Sequence, residues 1–172
     1  YIYGEKDGSS VEVSMQYNDS YVENIYCYAN NIINRDGGTH LTGFRTALTK
    51  VFNDYAKKYN HIKENDKSLA GEDVREGLTA IVSVKLENPQ FEGQTKEKLG
   101  NSDIRTLVEN VVGNKLNAIL DLIDELCELY EREFIDIELA FIKGQKDKLD
   151  DLYLLQVRPM ANISVNKALD LR

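Results

Sequence analysis

Apolar and polar residues alternate over residues 10–17 and again over residues 24–30, with a turn at residues 18–20 between them. A period of two places every second side chain on the buried face of a strand. The pattern therefore predicts two strands within residues 10–30, joined as a hairpin or meander. A third strand is predicted at residues 80–86, AIVSVKL, where the same alternation recurs.

Helical spacing marks the longer segments between and after these strands. Apolar side chains recur every three or four positions over residues 41–59, which predicts an amphipathic helix. A second apolar stripe follows Ser102, a candidate N-cap, and Glu72 with Asp73 favours the first turn of a short helix. Two strand-like segments close the chain, at residues 135–142 and 152–157. The order of elements predicts an α+β (mixed α/β) fold.

Composition narrows the class of protein. The chain has 172 residues, 42% of them hydrophobic, so it can bury the core of one domain, with or without an appendage. A net charge of −8 argues against binding nucleic acid through bulk electrostatics alone. Cys27 and Cys127 lie far apart without Cys or His companions, which indicates inert thiols rather than a zinc site or a disulfide framework.

Targeting signals are the next consideration. No run approaches the ~18 apolar residues that a membrane span requires, and no secretory signal is visible. A cytoplasmic protein without membrane contact is therefore expected. The chain opens at Tyr1 rather than Met, so we expect an excised domain or a processed piece.

The clearest candidate chemistry lies in PQFEGQTKEKLGN, residues 89–101. Gln94, Thr95 and Lys96 follow Gly93 on a turn between a predicted strand and a predicted helix. Amide, hydroxyl and ammonium groups all donate hydrogen bonds to anionic oxygens, and lysine adds a point charge. Gly93 permits backbone angles that a side chain would forbid. The turn predicts an anion site, and a solvated polar connection is the alternative.

A second glycine-rich loop, residues 37–40 (GGTH), precedes the first predicted helix. Free backbone N–H groups at a helix start can bind an anion, whereas the alternative is a tight strand-to-helix connection. His40 could act as a general base, or it could cap the helix or pack inside the fold. The sequence leaves these alternatives open.

Three segments together resemble the second domain of the DNA gyrase B subunit, which the topoisomerase IV B subunit shares. They are VEVSMQYNDSYVENIYCYANNI, GGTHLTGFRTAL and GEDVREGLTAIVSVKLENPQFEGQTKEKLGN, and the resemblance covers residues 5–116. It implies a transducer domain with a ribosomal-protein-like fold, in which a mixed sheet backed by helices contains a left-handed βαβ crossover. Such a domain couples ATP binding and hydrolysis in an adjacent ATPase domain to DNA strand passage.

The same resemblance assigns roles and partners. It implies that Gln94 and Lys96 contact the γ-phosphate of ATP, while Thr95 supports the loop. ATP and Mg²⁺ are the implied cofactors of the parent protein. The implied partners are ATPase and toprim domains of the same subunit, a gyrase A-type subunit and DNA. We expect residues 1–116 to form the transducer domain of an ATP-dependent isomerase. Without its ATPase domain, the isolated chain is expected to be an inactive monomer that binds no cofactor.

Residues 117–172 are predicted as a separate part, a C-terminal helix and a β-hairpin. FIDIELAFIKGQKDKLDDLYLLQVRPM is similar to the end of the ATP-grasp nucleotide-binding domain of phosphoenolpyruvate synthase and pyruvate phosphate dikinase. The alternative function is therefore a fragment of an ATP-binding phosphotransferase. An inactive chimera joined near residue 116 is a further alternative.

This tail carries its own candidate site. Antiparallel pairing around the turn sets Glu138 opposite Gln156 and Asp136 opposite Arg158, so that all four share one face. The resemblance implies Mg²⁺ at Glu138 and Gln156, and a nucleotide phosphate at Arg158. A hairpin with a surface salt bridge of little energetic value is the alternative.

Overall fold

A computed structural model gives the fold of this chain. It describes residues 1–63, 65–130, 135–142 and 151–159, and it describes side chains for residues 1–63 and 65–129. The chain forms two compact units, Tyr1–Leu120 and Asp121–Arg172. The boundary between them lies within the longest helix.

The predicted strands and helices are confirmed, and two short strands were not predicted. In chain order the elements are β1 Ile2–Lys6, β2 Ser9–Tyr17, β3 Asn24–Ala29, β4 Ile32–Ile33, α1 Thr39–Lys58, α2 Gly71–Arg75, β5 Leu78–Lys85, α3 Ser102–Tyr130, β6 Ile135–Ile142 and β7 Asp151–Pro159. The two strands that the pattern did not indicate, β1 and β4, are too short to show a clear alternation.

The predicted hairpin or meander of β2 and β3 is wrong. The strand order in the first sheet is β1-β2-β5-β3-β4, so β5 lies between the two. It pairs antiparallel with β2 and parallel with β3. Residues 18–23 contain no two-residue hairpin turn, and they are long enough to cross one intervening strand, a distance of about 10 Å. The strand with the most regular buried alternation, β5, thus takes the centre of the sheet.

The connection from β3 through α1 and α2 to β5 joins neighbouring parallel strands and is therefore a βαβ crossover. The mixed sheet and its helices confirm the α+β class. The left-handed sense of the crossover stays a prediction.

The core lies between one face of this sheet and the two long helices. Most of its buried residues come from β2, β3, β5, α1 and α3, and they include Val13, Val82, Phe44, Leu48, Val108 and Val112. A Cβ at Gly43 in α1 would lie 2.4 Å from the carbonyl oxygen of Arg105 in α3, so the two helices approach closely. The other face of the sheet exposes Tyr26 and Ile81, which are register partners on β3 and β5.

The second unit contains a two-stranded antiparallel sheet of β6 and β7. Its register pairs Glu138 with Gln156 and Asp136 with Arg158, as the sequence predicted. The register shifts by one residue between Glu138 and Leu139.

No helix in the part of the chain that the structure describes is long and apolar enough to cross a membrane.

Candidate functional site

The structure joins the two glycine-containing loops that the sequence singled out. Leu99 forms a parallel bridge with Gly38, so that the chain after the Gln94–Lys96 turn lies against the start of α1. The backbone N of Thr39 donates to the carbonyl oxygen of Leu99, and the backbone N of Leu99 donates to that of Gly37, both at 3.0 Å. A third bond runs from the backbone N of Asp36 to the carbonyl oxygen of Glu97, also at 3.0 Å.

This contact requires glycine at residue 38. A Cβ there would lie 2.2 Å from the carbonyl oxygen of Leu99 and 2.5 Å from its nitrogen. The φ angle of Gly38 is +131°, a conformation that residues with side chains rarely adopt. The N–H of Thr39 bonds to Leu99 and is therefore not available to an anion, and this close contact favours the tight strand-to-helix connection that was the alternative to an anion site.

The segment that carries the Gln94–Lys96 turn folds back on itself. Phe91 and Leu99 form an antiparallel bridge, and the backbone N of Glu92 donates to the carbonyl oxygen of Lys98 at 2.9 Å. Leu99 is 1% exposed and belongs to the core, so it fixes one leg of the turn.

Asn101 fixes the other leg. Its Oδ1 accepts from the backbone N of Gln90 at 2.7 Å, and its Nδ2 donates to the carbonyl oxygen of Asn88 at 3.1 Å. A single buried amide therefore ties the start of the loop to the N-terminal end of α3.

At the tip, the side chains of Gln94, Thr95 and Lys96 are all exposed. Lys96 adopts a φ angle of +56°, in the left-handed region, and its backbone N lies 3.4 Å from the carbonyl oxygen of Gly93. Its own carbonyl oxygen accepts a hydrogen bond of 2.7 Å from Nδ2 of Asn34, which is 2% exposed. The tip thus presents an amide, a hydroxyl and an ammonium on a backbone that is held from below.

The two lysines of this loop differ in their surroundings. Nζ of Lys98 lies 2.9 Å from Oε2 of Glu92, whose hydrogen bond and charge raise the pKa of Lys98. Nζ of Lys96 lies 5.9 Å from the centre of the Phe91 ring and forms no ion pair among the described residues. The Lys96 ammonium is therefore the one available to an anionic partner, with Gln94 beside it as a neutral donor.

His40 is a packed side chain rather than a general base open to a substrate. It is 0% exposed, and neither ring nitrogen has a hydrogen-bond partner among the described residues. Burial lowers its pKa from 6.5 to about 4, so the imidazole is neutral near pH 7. Cys27 is likewise buried, and burial raises the pKa of its thiol to about 12, which agrees with an inert thiol.

Sequence patterns did not indicate Asn34 or Asn101. Asn34 donates a hydrogen bond to a carbonyl oxygen 62 residues further along the chain, and no local sequence motif indicates such a bond. The predicted metal and nucleotide residues Glu138, Gln156 and Arg158 have side chains outside the described residues. Among the side chains that are described, no three His, Cys, Asp or Glu residues are grouped to hold a metal ion.

Known proteins resemble most of this chain. A family profile described as DNA gyrase B matches residues 1–136, which extends past the predicted junction at residue 116. The chain is 58% identical to the DNA gyrase B subunit of Clostridium acetobutylicum over 122 residues, 70% of this chain and 19% of that protein. It is 49% identical to the DNA topoisomerase 4 B subunit of Staphylococcus aureus over 139 residues, 80% of this chain and 21% of that protein.

Solved structures agree. The 43K ATPase domain of Thermus thermophilus gyrase B, in complex with an aminocoumarin, superposes with a TM-score of 0.66 at 44% identity, covering 76% of this chain and 35% of that one. The topoisomerase IV ATP-binding domain of Francisella tularensis gives a TM-score of 0.64 at 30% identity, covering 76% and 37%. The chain spans about a fifth of the length of the two curated relatives, 19% and 21%. From the profile match and these likenesses, the chain belongs to the DNA gyrase B family.

Proposed function

We propose that this chain is the transducer part of a gyrase B-type subunit. In this role Gln94 and Lys96 contact the γ-phosphate of ATP bound in an adjoining ATPase domain, and the domain couples ATP binding and hydrolysis to DNA strand passage. The observation that carries the proposal is the exposed Gln94–Lys96 tip on an anchored backbone. The likeness to segments of two solved ATPase or ATP-binding domains supports it.

The chemistry of the tip suits a nucleotide sensor. A lysine that meets only the terminal phosphate binds ATP better than ADP, and a switch requires such a difference in contact. Gln94 adds a neutral donor that can bond to the same phosphate oxygens.

The anchoring of the tip suits transmission of that signal. Because Leu99 bonds to Gly37 and Thr39, a pull on the tip by bound ATP acts on the first turn of α1 and on the core. A loop without these bonds could bind phosphate, but it would absorb the movement itself.

ATP and Mg²⁺ would then be held mainly by the adjoining ATPase domain. A toprim domain, a gyrase A-type subunit and DNA complete the proposed assembly in the cytoplasm. The charge of −8 on this chain leaves DNA contact by bulk electrostatics to other parts of that assembly. By itself the chain is proposed to be an inactive monomer.

A second candidate function, the ATP-grasp fragment at residues 117–172, rests on the sequence resemblance and on the backbone register of its strands, and the comparisons with known proteins do not favour it. The backbone register pairs Glu138 with Gln156 and Asp136 with Arg158, the pairing that the sequence led us to expect. The gyrase B match over residues 1–136 leaves this interpretation mainly for the segment beyond it. Titration of the isolated chain with Mg-ATP separates the two. Binding tighter than about 1 mM that is lost on Arg158→Ala would favour the ATP-grasp site, and weaker binding favours the transducer.

The transducer proposal is tested in a hybrid in which residues 1–136 of this chain replace the corresponding segment of the Thermus thermophilus ATPase domain. In this hybrid ATPase, Lys96→Ala should lower ATP turnover by roughly ten- to a hundredfold, because a charged contact to the γ-phosphate is lost. Affinity for ADP should stay the same.

The matched control for this variant is Lys98→Ala. It removes the same charge two residues away, from a side chain already paired with Glu92, and should leave turnover unchanged. A folded hybrid without ATPase activity, or equal turnover in Lys96→Ala and the parent hybrid, would contradict the proposed function.

A further inference from the structure

We infer that Asn34 is a positioning residue for Lys96, holding the loop backbone in the conformation that presents the ammonium to the nucleotide. The inference rests on the proposed function and deepens it. It names the side chain that sets the geometry of the sensing tip, a role that the sequence did not indicate.

The first step is the bond itself. Nδ2 of Asn34 donates to the carbonyl oxygen of Lys96 at 2.7 Å, across 62 residues of sequence. Lys96 has a φ angle of +56°, which a residue with a side chain adopts only when surrounding contacts favour it. By holding the carbonyl oxygen of Lys96, Asn34 fixes the peptide plane between residues 96 and 97. That plane in turn sets the direction of the Cα–Cβ bond of Lys96.

The second step is that the donor is rigid. Asn34 is 2% exposed, its backbone N donates to the carbonyl oxygen of Cys27 at 2.8 Å, and its own carbonyl oxygen accepts from Gly37 at 3.0 Å. These bonds tie Asn34 to the central sheet on one side and to the start of α1 on the other. Because its backbone is held in this way and its side chain is buried, Asn34 can impose its geometry on the exposed loop.

The third step concerns the other hydrogen bonds that reach this loop from the described part of the chain. The bonds made by Asp36 and Thr39 reach Glu97 and Leu99, on the returning leg of the loop. For residues 94–96, the Asn34 bond is the only described hydrogen bond that comes from outside the loop. The contact from Lys96 N to Gly93 lies within the loop and is long, at 3.4 Å.

The test compares two affinities of the hybrid ATPase, one for a non-hydrolysable ATP analogue with an imido group between its β- and γ-phosphates, the other for ADP. Asn34→Asp keeps the size of the side chain and replaces its donor with an oxygen that repels the Lys96 carbonyl. Asn34→Ala is the second variant, in case a buried carboxylate prevents folding. In each variant, the ratio of analogue affinity to ADP affinity should fall roughly three- to tenfold, because one hydrogen bond that positions Lys96 is lost.

Asn53→Asp is the matched control. Asn53 also holds a loop, through bonds of 2.8 and 3.1 Å to the backbone of Leu69, but that loop is remote from Lys96 in sequence and belongs to no proposed site. This variant should lower the melting temperature and leave the affinity ratio unchanged. A purely structural role for Asn34 would give the same result as this control.

A double variant completes the design. In a Lys96→Ala background, Asn34→Ala should have no further effect on the affinity ratio, because Asn34 acts through Lys96. If the Asn34 variants keep the parent ratio while Lys96→Ala lowers it, the inference is overturned and the proposed function stands. A further fall in the double variant would also overturn it. If Lys96→Ala itself leaves the ratio unchanged, the proposed function fails.

Discussion

The loop at residues 34–40 and the loop at residues 90–99 look alike as sequence, yet they differ in almost every physical respect. Both combine glycine with polar side chains next to a helix. In the first loop Asn34 and His40 are buried, and its backbone groups bond to its neighbour. In the second, the three polar side chains at the tip point into solvent. The first loop holds the backbone of the second loop, and the second loop presents the side chains that can reach a ligand.

The difference shows that polar content alone does not mark a binding site. An anion site at a helix start uses free N–H groups, and here the first of them, the N–H of Thr39, donates to the carbonyl oxygen of Leu99. An exposed site needs side chains on a fixed backbone, and at the tip Asn34 and Leu99 fix the backbone. Three substitutions within the two loops can break or sharpen this contrast.

The largest effect is expected for Gly38→Ala. A clash with the backbone of Leu99 at 2.2 Å, added to an unfavourable φ of +131°, should cost about 4 kcal/mol of unfolding free energy. Urea unfolding of the chain, followed by tyrosine fluorescence, measures the loss. Gly113→Ala in α3, where an added Cβ meets nothing within 4 Å, is the control and should instead stabilise by roughly 0.5–1 kcal/mol. Equal stability of Gly38→Ala and the parent would show that the two loops do not meet as described.

An effect of intermediate size is expected from pH. The pKa of His40 in the folded chain, about 4, is below its ordinary 6.5, so between these pH values the unfolded chain binds a proton that the folded chain does not. The unfolding free energy should therefore be complete above pH 6.5 and fall as the pH is lowered towards 4, by on the order of 3 kcal/mol.

His40→Gln should remove this contribution, whatever it does to stability at pH 7. The measurement is the difference in pH dependence between the parent and the variant over pH 4–7 in urea unfolding. Parallel curves for the two proteins would mean that His40 is not buried in its neutral form, and the first loop would then be more open than the structure shows.

The smallest effect is expected for Gly93→Ala in the second loop. Gly93 has a φ of +88°, but an added Cβ would meet nothing within 4 Å, so only the backbone preference is lost, about 1 kcal/mol. The same urea experiment applies. If Gly93→Ala lowered the unfolding free energy as much as Gly38→Ala does, the proposed difference between the buried first loop and the exposed tip of the second would be wrong.

Prediction from sequence succeeded where the signal was local. The helices at residues 41–59 and from Ser102, and the strand at residues 80–86, follow from spacings of 3.6 and 2 that any short window contains. The chemistry of Gln94 and Lys96 was visible for the same reason. The pairing of β2 with β3 failed, because adjacency in a sheet depends on which strand best fills its centre, and residues 18–23 permit either arrangement.

The sequence by itself thus determined the longer helices and strands, the face that each one buries, the family and the groups offered at the tip. The tertiary structure alone decided that β5 separates β2 from β3 and that Gly38 forms a bridge with Leu99. It also decided that His40 is buried and that Asn34 bonds to the carbonyl oxygen of Lys96. The physical reason is range. Periodicity and capping act over a few residues, whereas these contacts join segments that lie tens of residues apart and exist only once the core has brought them together.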